Sequence, residues 1–137
     1  TDVVMGLAEE HHDAVAALHD QIFPTARTPG SLLVSQTDER HQCFVAVVND
    51  EVIAYVATIL ENDQSLSIDS LGVAVKHRAA GWGRMLVTAA MRARRDEATH
   101  AHLTVRSTND AARRLYASLG FTEERIVILM RRGFSLT

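Results

Sequence analysis

The chain predicts an α/β fold of the mixed α+β kind: one central mixed, mostly antiparallel sheet flanked by helices, in the order β-α-α-β-β-β-α-β-α-β. Three observations carry this. Apolar runs of strand length fill the middle of the chain and are broken by short polar turns. The apolar period then lengthens to the helical one after Gly81, and a short apolar run follows between two helical stretches. A strand–helix–strand passage of that kind crosses over to a parallel neighbour, whereas tight turns join antiparallel ones. Finally, 137 residues, 47% of them hydrophobic, suffice for one core and are too few for two, so residues 1–137 read as a single domain.

Each element has its own signal. "VVMGL" (3–7) reads as a strand. Residues 9–23 read as a helix, with Val15, Leu18, Ile22 and Phe23 near the helical period and Pro24 as the stop. A turn-rich loop covers 25–30, and a short second helix starts near Ser31. "CFVAVV" and "VIAYVATIL" flank Asn49-Asp50, a hairpin signal. After a polar turn at 62–65, "SLSIDSLGVAV" reads as a strand ending at Val75. Residues 81–95 carry Met85, Leu86, Ala89, Ala90 and Ala93 on one helical face. "AHLTVR" (101–106) is a strand, 110–119 a helix closed by Gly120, and "RIVILM" (125–130) the last strand, with no obvious hairpin after Phe121.

Composition excludes several functions. The formal charge is −3 and the pI about 6.1, which argues against a nucleic-acid binder held by bulk charge. No run approaches the ~20 apolar residues of a membrane span. The single Cys43 rules out an internal disulfide, reads as a core thiol and fits a reducing, cytoplasmic setting. His11, His12 and His19 lack the spacing of a zinc site, so no metal is expected. Arg92, Arg94 and Arg95 read as a solvated helix end. The chain opens on Thr1, as a trimmed chain or a piece of a longer one does.

"HRAAGWGRML" (77–86) places Gly81 and Gly83 where a helix should begin, although glycine inside a helix costs ~0.5–1 kcal/mol relative to alanine. A helix start presents unpaired N–H groups and about half a positive charge. Bare backbone there lets an anion approach, and Arg78 adds a charge-assisted contact. The ligand that suits the turn is a phosphate or pyrophosphate. Neither G-x-x-x-x-G-K-[ST] nor G-x-G-x-x-G is present, so this is neither a P-loop nor a Rossmann turn.

"LGVAVKHRAAGWGRML" resembles motif A of the GNAT superfamily of acyl-CoA N-acetyltransferases, L-x-V-x-P-x-x-R-x-x-G-x-G. Leu71, Val73, Arg78, Gly81 and Gly83 match, and Val75 replaces the proline. "NDAARRLYASLGF" resembles motif B, N-x-x-A-x-x-L-Y-x-x-x-G-F, at Asn109, Ala112, Leu115, Tyr116, Gly120 and Phe121. The likeness covers nearly the whole chain and implies a GNAT-like fold, acetyl-CoA as co-substrate and an amine acceptor. It implies that the diphosphate sits on backbone N–H groups of Gly81, Trp82, Gly83, Arg84 and Met85, with Arg78 and Ala79 alongside. The pantetheine arm would add like a strand to Leu71, Val73 and Val75. Asn109 either caps its helix or touches the pantetheine.

Tyr116 is the expected general acid, protonating the departing sulfur. "LTVRSTN" (103–109) resembles L-E-V-R-x-S-N of the ribosomal-protein alanine N-acetyltransferases, but Thr104 stands where the resemblance calls for the glutamate base. Asp69, two residues before Leu71, and His102, on one strand face with His100 and Thr104, are the candidate bases. Two readings follow. One is an N-acetyltransferase acting on a primary amine by direct attack in a ternary complex; the other is a non-catalytic acyl-CoA-binding or regulatory module. The acceptor is a protein N-terminus, a lysine or a small amine. The short tail either leaves the acceptor cleft open or is completed by a second copy in a homodimer.

Overall fold

A computed structural model of the chain describes residues 2–36, 38–124 and 129–133. The elements are β1 (Asp2–Gly6), a 3-10 turn (Glu9–His11), α1 (His12–Ile22), α2 (Gly30–Ser35), β2 (His41–Val48), β3 (Glu51–Leu60) and β4 (Ser65–Val73). A second 3-10 turn (Val75–His77) leads into α3 (Trp82–Ala93), β5 (His100–Thr104), α4 (Asp110–Ser118), β6 (Thr122–Glu123) and β7 (Leu129–Gly133). The described strands form one seven-stranded sheet in the order β1-β2-β3-β4-β5-β7-β6. Every neighbouring pair is antiparallel except β4–β5. This is the mixed, mostly antiparallel sheet the apolar patterning predicts.

The β2–β3 hairpin turns at Asn49 and Asp50, both left-handed at φ 50° and 64°, as in the two-residue turn whose twist suits paired strands. Period-two alternation then divides the core between two faces. Val45, Val47, Tyr55 and Ala57 meet Val15 of α1 and Leu33 and Val34 of α2. Ala46, Ile53, Val56, Leu66 and Ile68 meet Leu86, Val87 and Ala90 of α3 and Tyr116 of α4. A fully buried Leu86 or Ile53 contributes about 1.5–3 kcal/mol through apolar surface removed from water. Gly30 lets α2 begin against α1: a Cβ there would lie 2.2 Å from the Ala16 carbonyl oxygen. Its N–H donates to Asp20 Oδ1 at 2.7 Å.

Three expectations are corrected. β4 ends at Val73, not Val75: the Val75 carbonyl accepts from Arg78 N at 3.4 Å inside the 3-10 turn, and the side chain is 73% exposed. The chain does turn back after Phe121, because β6 pairs antiparallel with β7; of the expected strand at 125–130, residues 125–128 lie outside the described residues. Arg94 is buried rather than solvated, its Nη2 donating to the Glu39 carbonyl at 2.7 Å and its Nη1 facing Glu97 at 3.2 Å. Among the described residues, no helix is long and apolar enough to cross a membrane.

Candidate active site

β4 and β5 stay paired only from Ser65↔His100 to Ser67↔His102. Beyond that point β4 follows β3 and β5 follows β7, so the two strands part and the β4 edge opens. A bulge marks the divergence: the β3–β4 register passes from Thr58↔Ile68 to Ala57↔Ser70, leaving Asp69 as the extra residue. An extra residue bends its strand and re-aims side chains. Here it turns both Asp69 and Ser70 toward the α1 face, where Ser70 meets Tyr55 and Asp69 lines a crevice with Leu33 and Cys43. Two adjoining cavities fill the opening, of about 630 and 340 Å³, sharing Phe23, Leu71, Asn109 and Ala112.

The larger cavity is built on the α3 start. Gly81 caps the helix at φ 90°, and Ala79 is also left-handed at φ 61°. No atom lies within 4 Å of a Cβ built on Gly81, so its backbone faces open space. The N–H groups of Trp82, Gly83 and Arg84 have no intrahelical partner by helix geometry, and the helix dipole adds positive potential. That cradle fits a phosphate. The Met85 N–H does not join it, because it donates to the Gly81 carbonyl at 3.1 Å and closes the first turn. Gly83 serves packing: a Cβ there would lie 3.1 Å from Leu115 Cδ2 and 3.6 Å from Leu71 Cδ2.

Around this cradle the side chains are already directed. Arg78 Nε donates to the Val73 carbonyl at 3.0 Å, folding the guanidinium over the end of β4 at the cavity rim. Arg84 Nη2 donates to Ser118 Oγ at 2.5 Å, tying α3 to α4. Trp82 packs on the core and lines the cavity. Ala74 N donates to the Ile53 carbonyl at 2.7 Å, so in the antiparallel alternation Gly72 also faces β3, while Leu71 and Val73 face the open edge. Val75 has left the strand and is not placed to extend that edge. Asn109 Oδ1 accepts from Ala112 N at 3.1 Å: it caps α4 while lining both cavities.

The smaller cavity gathers Tyr116, Asp69, Ser70, Thr104 and His19. Tyr116 is 6% exposed and meets Phe121 edge-on at 5.6 Å; burial pushes its phenol up to about 12. His19 Nδ1 lies 2.5 Å from Tyr55 Oη, which lies 2.7 Å from Ser70 Oγ. His102 is not among the lining residues. It sits where β4 and β5 are still joined, its Nε2 4.0 Å from Glu61 Oε1.

Residues 11–121 match the family model described as Acetyltransferase (GNAT) family. The chain belongs to the GNAT acetyltransferase family. A search of curated proteins gave no match. Among solved structures the chain is similar to the ribosomal-protein-S18-alanine N-acetyltransferase from Escherichia coli, with 21% identity, TM-score 0.84, and 100% of this chain and 96% of that one covered. It is also similar to a nourseothricin acetyltransferase, with 19% identity, TM-score 0.76, and 98% and 99% covered. A third is a PaiA N-acetyltransferase from Thermoplasma acidophilum in complex with coenzyme A, with 11% identity, TM-score 0.76, and 97% and 99% covered. At these identities the likeness is one of fold.

Within this GNAT domain, Tyr116 and Asp69 meet in one cavity and His102 does not. His19 and Ser70 are the residues that sequence reasoning passed over. One signal was present: Val15, His19 and Ile22 share the helical spacing, so the histidine falls on the buried stripe of α1. Among the described residues, no group of three or more His, Cys, Asp or Glu side chains is placed to hold a metal ion.

Proposed function

We infer that this GNAT domain transfers an acetyl group from acetyl-CoA to a primary amine by direct attack in a ternary complex. The observation that carries the reading is the junction of two cavities, one floored by bare helix-start amides and the other lined by a buried phenol and a carboxylate. Acetyl-CoA supplies the acetyl group as an activated thioester. The N–H groups of Trp82, Gly83 and Arg84, with Arg78 and Ala79 at the rim, would hold its diphosphate; Leu71 and Val73 would pair with its amide-bearing arm.

The chain's own groups divide the remaining work. Tyr116, with its phenol pushed up to about 12, holds its proton at neutral pH and donates a hydrogen bond to a departing sulfur, releasing the proton as charge builds there. Asp69, on the bulge and exposed to the acceptor cavity, attracts an ammonium. Cys43 is no nucleophile, because burial pushes its thiol up to about 12. An acceptor on a protein N-terminus, a lysine or a small amine fits this chemistry.

Thiol release from acetyl-CoA over a panel of primary amines, with coenzyme A binding followed by calorimetry, tests the reading. Tyr116→Phe is expected to lower turnover at least about tenfold with little change in coenzyme A affinity, in the range of a lost general acid. A chain that binds coenzyme A and acetylates no amine is the acyl-CoA-binding module instead.

A further inference from the structure

His19, Tyr55 and Ser70 form a continuous hydrogen-bonded chain from the core to the acceptor cavity, and one carbonyl sets the direction of every bond in it. His19 Nε2 lies 2.7 Å from the Thr28 carbonyl oxygen, which can only accept, so Nε2 carries the hydrogen. In the neutral ring Nδ1 is then a bare acceptor. Tyr55 Oη, 2.5 Å away, donates to it. The Tyr55 oxygen in turn accepts from Ser70 Oγ at 2.7 Å; Ser70 Oγ also stands 3.3 Å from Nδ1. His19 and Tyr55 are 3% and 0% exposed; Ser70 and His19 line the cavity with Asp69 and Tyr116, and Tyr55 does not.

We propose that this chain is a proton relay that carries a proton from the acceptor ammonium to His19, with Ser70 touching the substrate and Tyr55 and His19 acting through it. The proposal rests on the acyltransferase reading and names the base that Thr104 fails to supply. In the step, one substrate N–H bond breaks and its electron pair stays on nitrogen. Ser70 Oγ gains that proton as its own passes to Tyr55 Oη, and the Tyr55 proton passes to His19 Nδ1. The positive charge moves from ammonium to imidazolium. The product amide has lost two protons relative to the ammonium: the first leaves His19 for solvent by the reverse path once the cavity is wet, and the second, lost as the amide forms, restores to Tyr116 the proton it gave to the sulfur.

Few ionisable groups surround the relay. The ionisable groups facing the relay are Asp20 on α1, Asp69 on β4, Cys43 on β2, and Tyr116 and Arg106 at the cavity; α2, "GSLLVS", contributes none. Cys43 and Tyr116 stay protonated and neutral, since burial pushes each up to about 12. The charged groups that remain are the Asp20 and Asp69 carboxylates and the Arg106 guanidinium. Burial pushes the Tyr55 phenol up, against the lowering effect of the Ser70 hydrogen bond, so Tyr55 passes a proton on without remaining ionised.

The test is kcat against pH with acetyl-CoA and the best acceptor among an N-terminal peptide, a lysine peptide and a polyamine. Wild type loses activity as pH falls, because a protonated Nδ1 cannot accept. Ser70→Ala and Tyr55→Phe each lower kcat about 100-fold, within the range for general base catalysis, and abolish the acid limb. The double variant is no slower than either single one, since the parts act as a unit. Ser70→Thr, which keeps the hydroxyl, restores both rate and limb. Variants that keep the acid limb, or lose only thermal stability or KM, overturn the relay and leave a structural network.

A second measurement needs no turnover. Nitrogen-15 spectra of the His19 ring in the unliganded protein are expected to show the proton on Nε2; a proton on Nδ1 overturns the relay. Failure of wild-type coenzyme A binding or of amine-dependent thiol release sinks the acyltransferase reading and the relay together. Success there with relay variants that keep the acid limb sinks the relay alone.

Discussion

Gly72 leaves the ring of Tyr55 room to cross β4: a Cβ on Gly72 would come within 2.6 Å of Tyr55 Cε1 and 3.0 Å of Ile22 Cδ1. Tyr55 and Gly72 are register partners on adjacent strands. The missing side chain therefore brings the phenol from β3 to Ser70 and His19.

Gly72→Ala is expected to destabilise the fold by about 1–3 kcal/mol, the cost of overpacking a closed core. The Tyr55 ring has no exposed side toward which to yield. Urea denaturation should show a lower midpoint at an unchanged slope, and the acid limb of the activity profile should change as the hydroxyl is displaced. An unshifted midpoint would mean that the sheet gives way more readily than its packing implies.

The two glycines at the α3 start should respond differently. Gly81→Ala forces a side chain into the left-handed region, costing about 1–2 kcal/mol although space is free. Gly83→Ala gains up to about 1 kcal/mol of helix propensity and spends it against Leu115, so stability changes little. Its methyl projects between Leu71 and Leu115 in the larger cavity, so coenzyme A affinity falls. Calorimetry and melting curves on both variants check the contrast; equal losses of stability would refute it.

Arg113 grips Glu123 with two bonds, Nε to Oε1 at 2.7 Å and Nη2 to Oε2 at 3.1 Å, joining α4 to β6. The Arg113 hydrogen bond, ahead of its charge, holds the Glu123 carboxyl below its ordinary range. A carboxyl lowered on folding contributes stability above its unfolded pKa and loses it as pH falls through the folded one. Glu123→Gln should thus lower the urea midpoint at neutral pH, with the gap closing below about pH 4 and shrinking in high salt. The group is exposed, so the effect is small. A gap that stays constant into acid would assign the contact to shape rather than charge.

Local chemistry made much of this site legible. The α3 start, the Asn109 cap and Tyr116 lie within motifs whose members sit a few residues apart, and helix geometry alone places such neighbours together. The hairpin at Asn49-Asp50 is read in the same way. The shortfalls arose where distant segments decide. β6 spans two residues, too few to show a period. Arg94 is buried because a loop carbonyl fifty-five residues earlier takes its hydrogen bond. His102 alternates onto the expected strand face, but the pairing with β4 persists beside it and keeps it out of the opening.

Residue order by itself determined the helices and strands, the anion-cradling turn and the family motifs, because these depend on periodicity and spacing along a few turns of chain. Only the tertiary structure decided that His19, Tyr55 and Ser70 meet, across separations of 36 and 15 residues. That meeting depends on which face of the sheet each side chain takes. One bulged residue, Asp69, resets the alternation, and the shift arises from pairing between strands rather than from any single strand's composition.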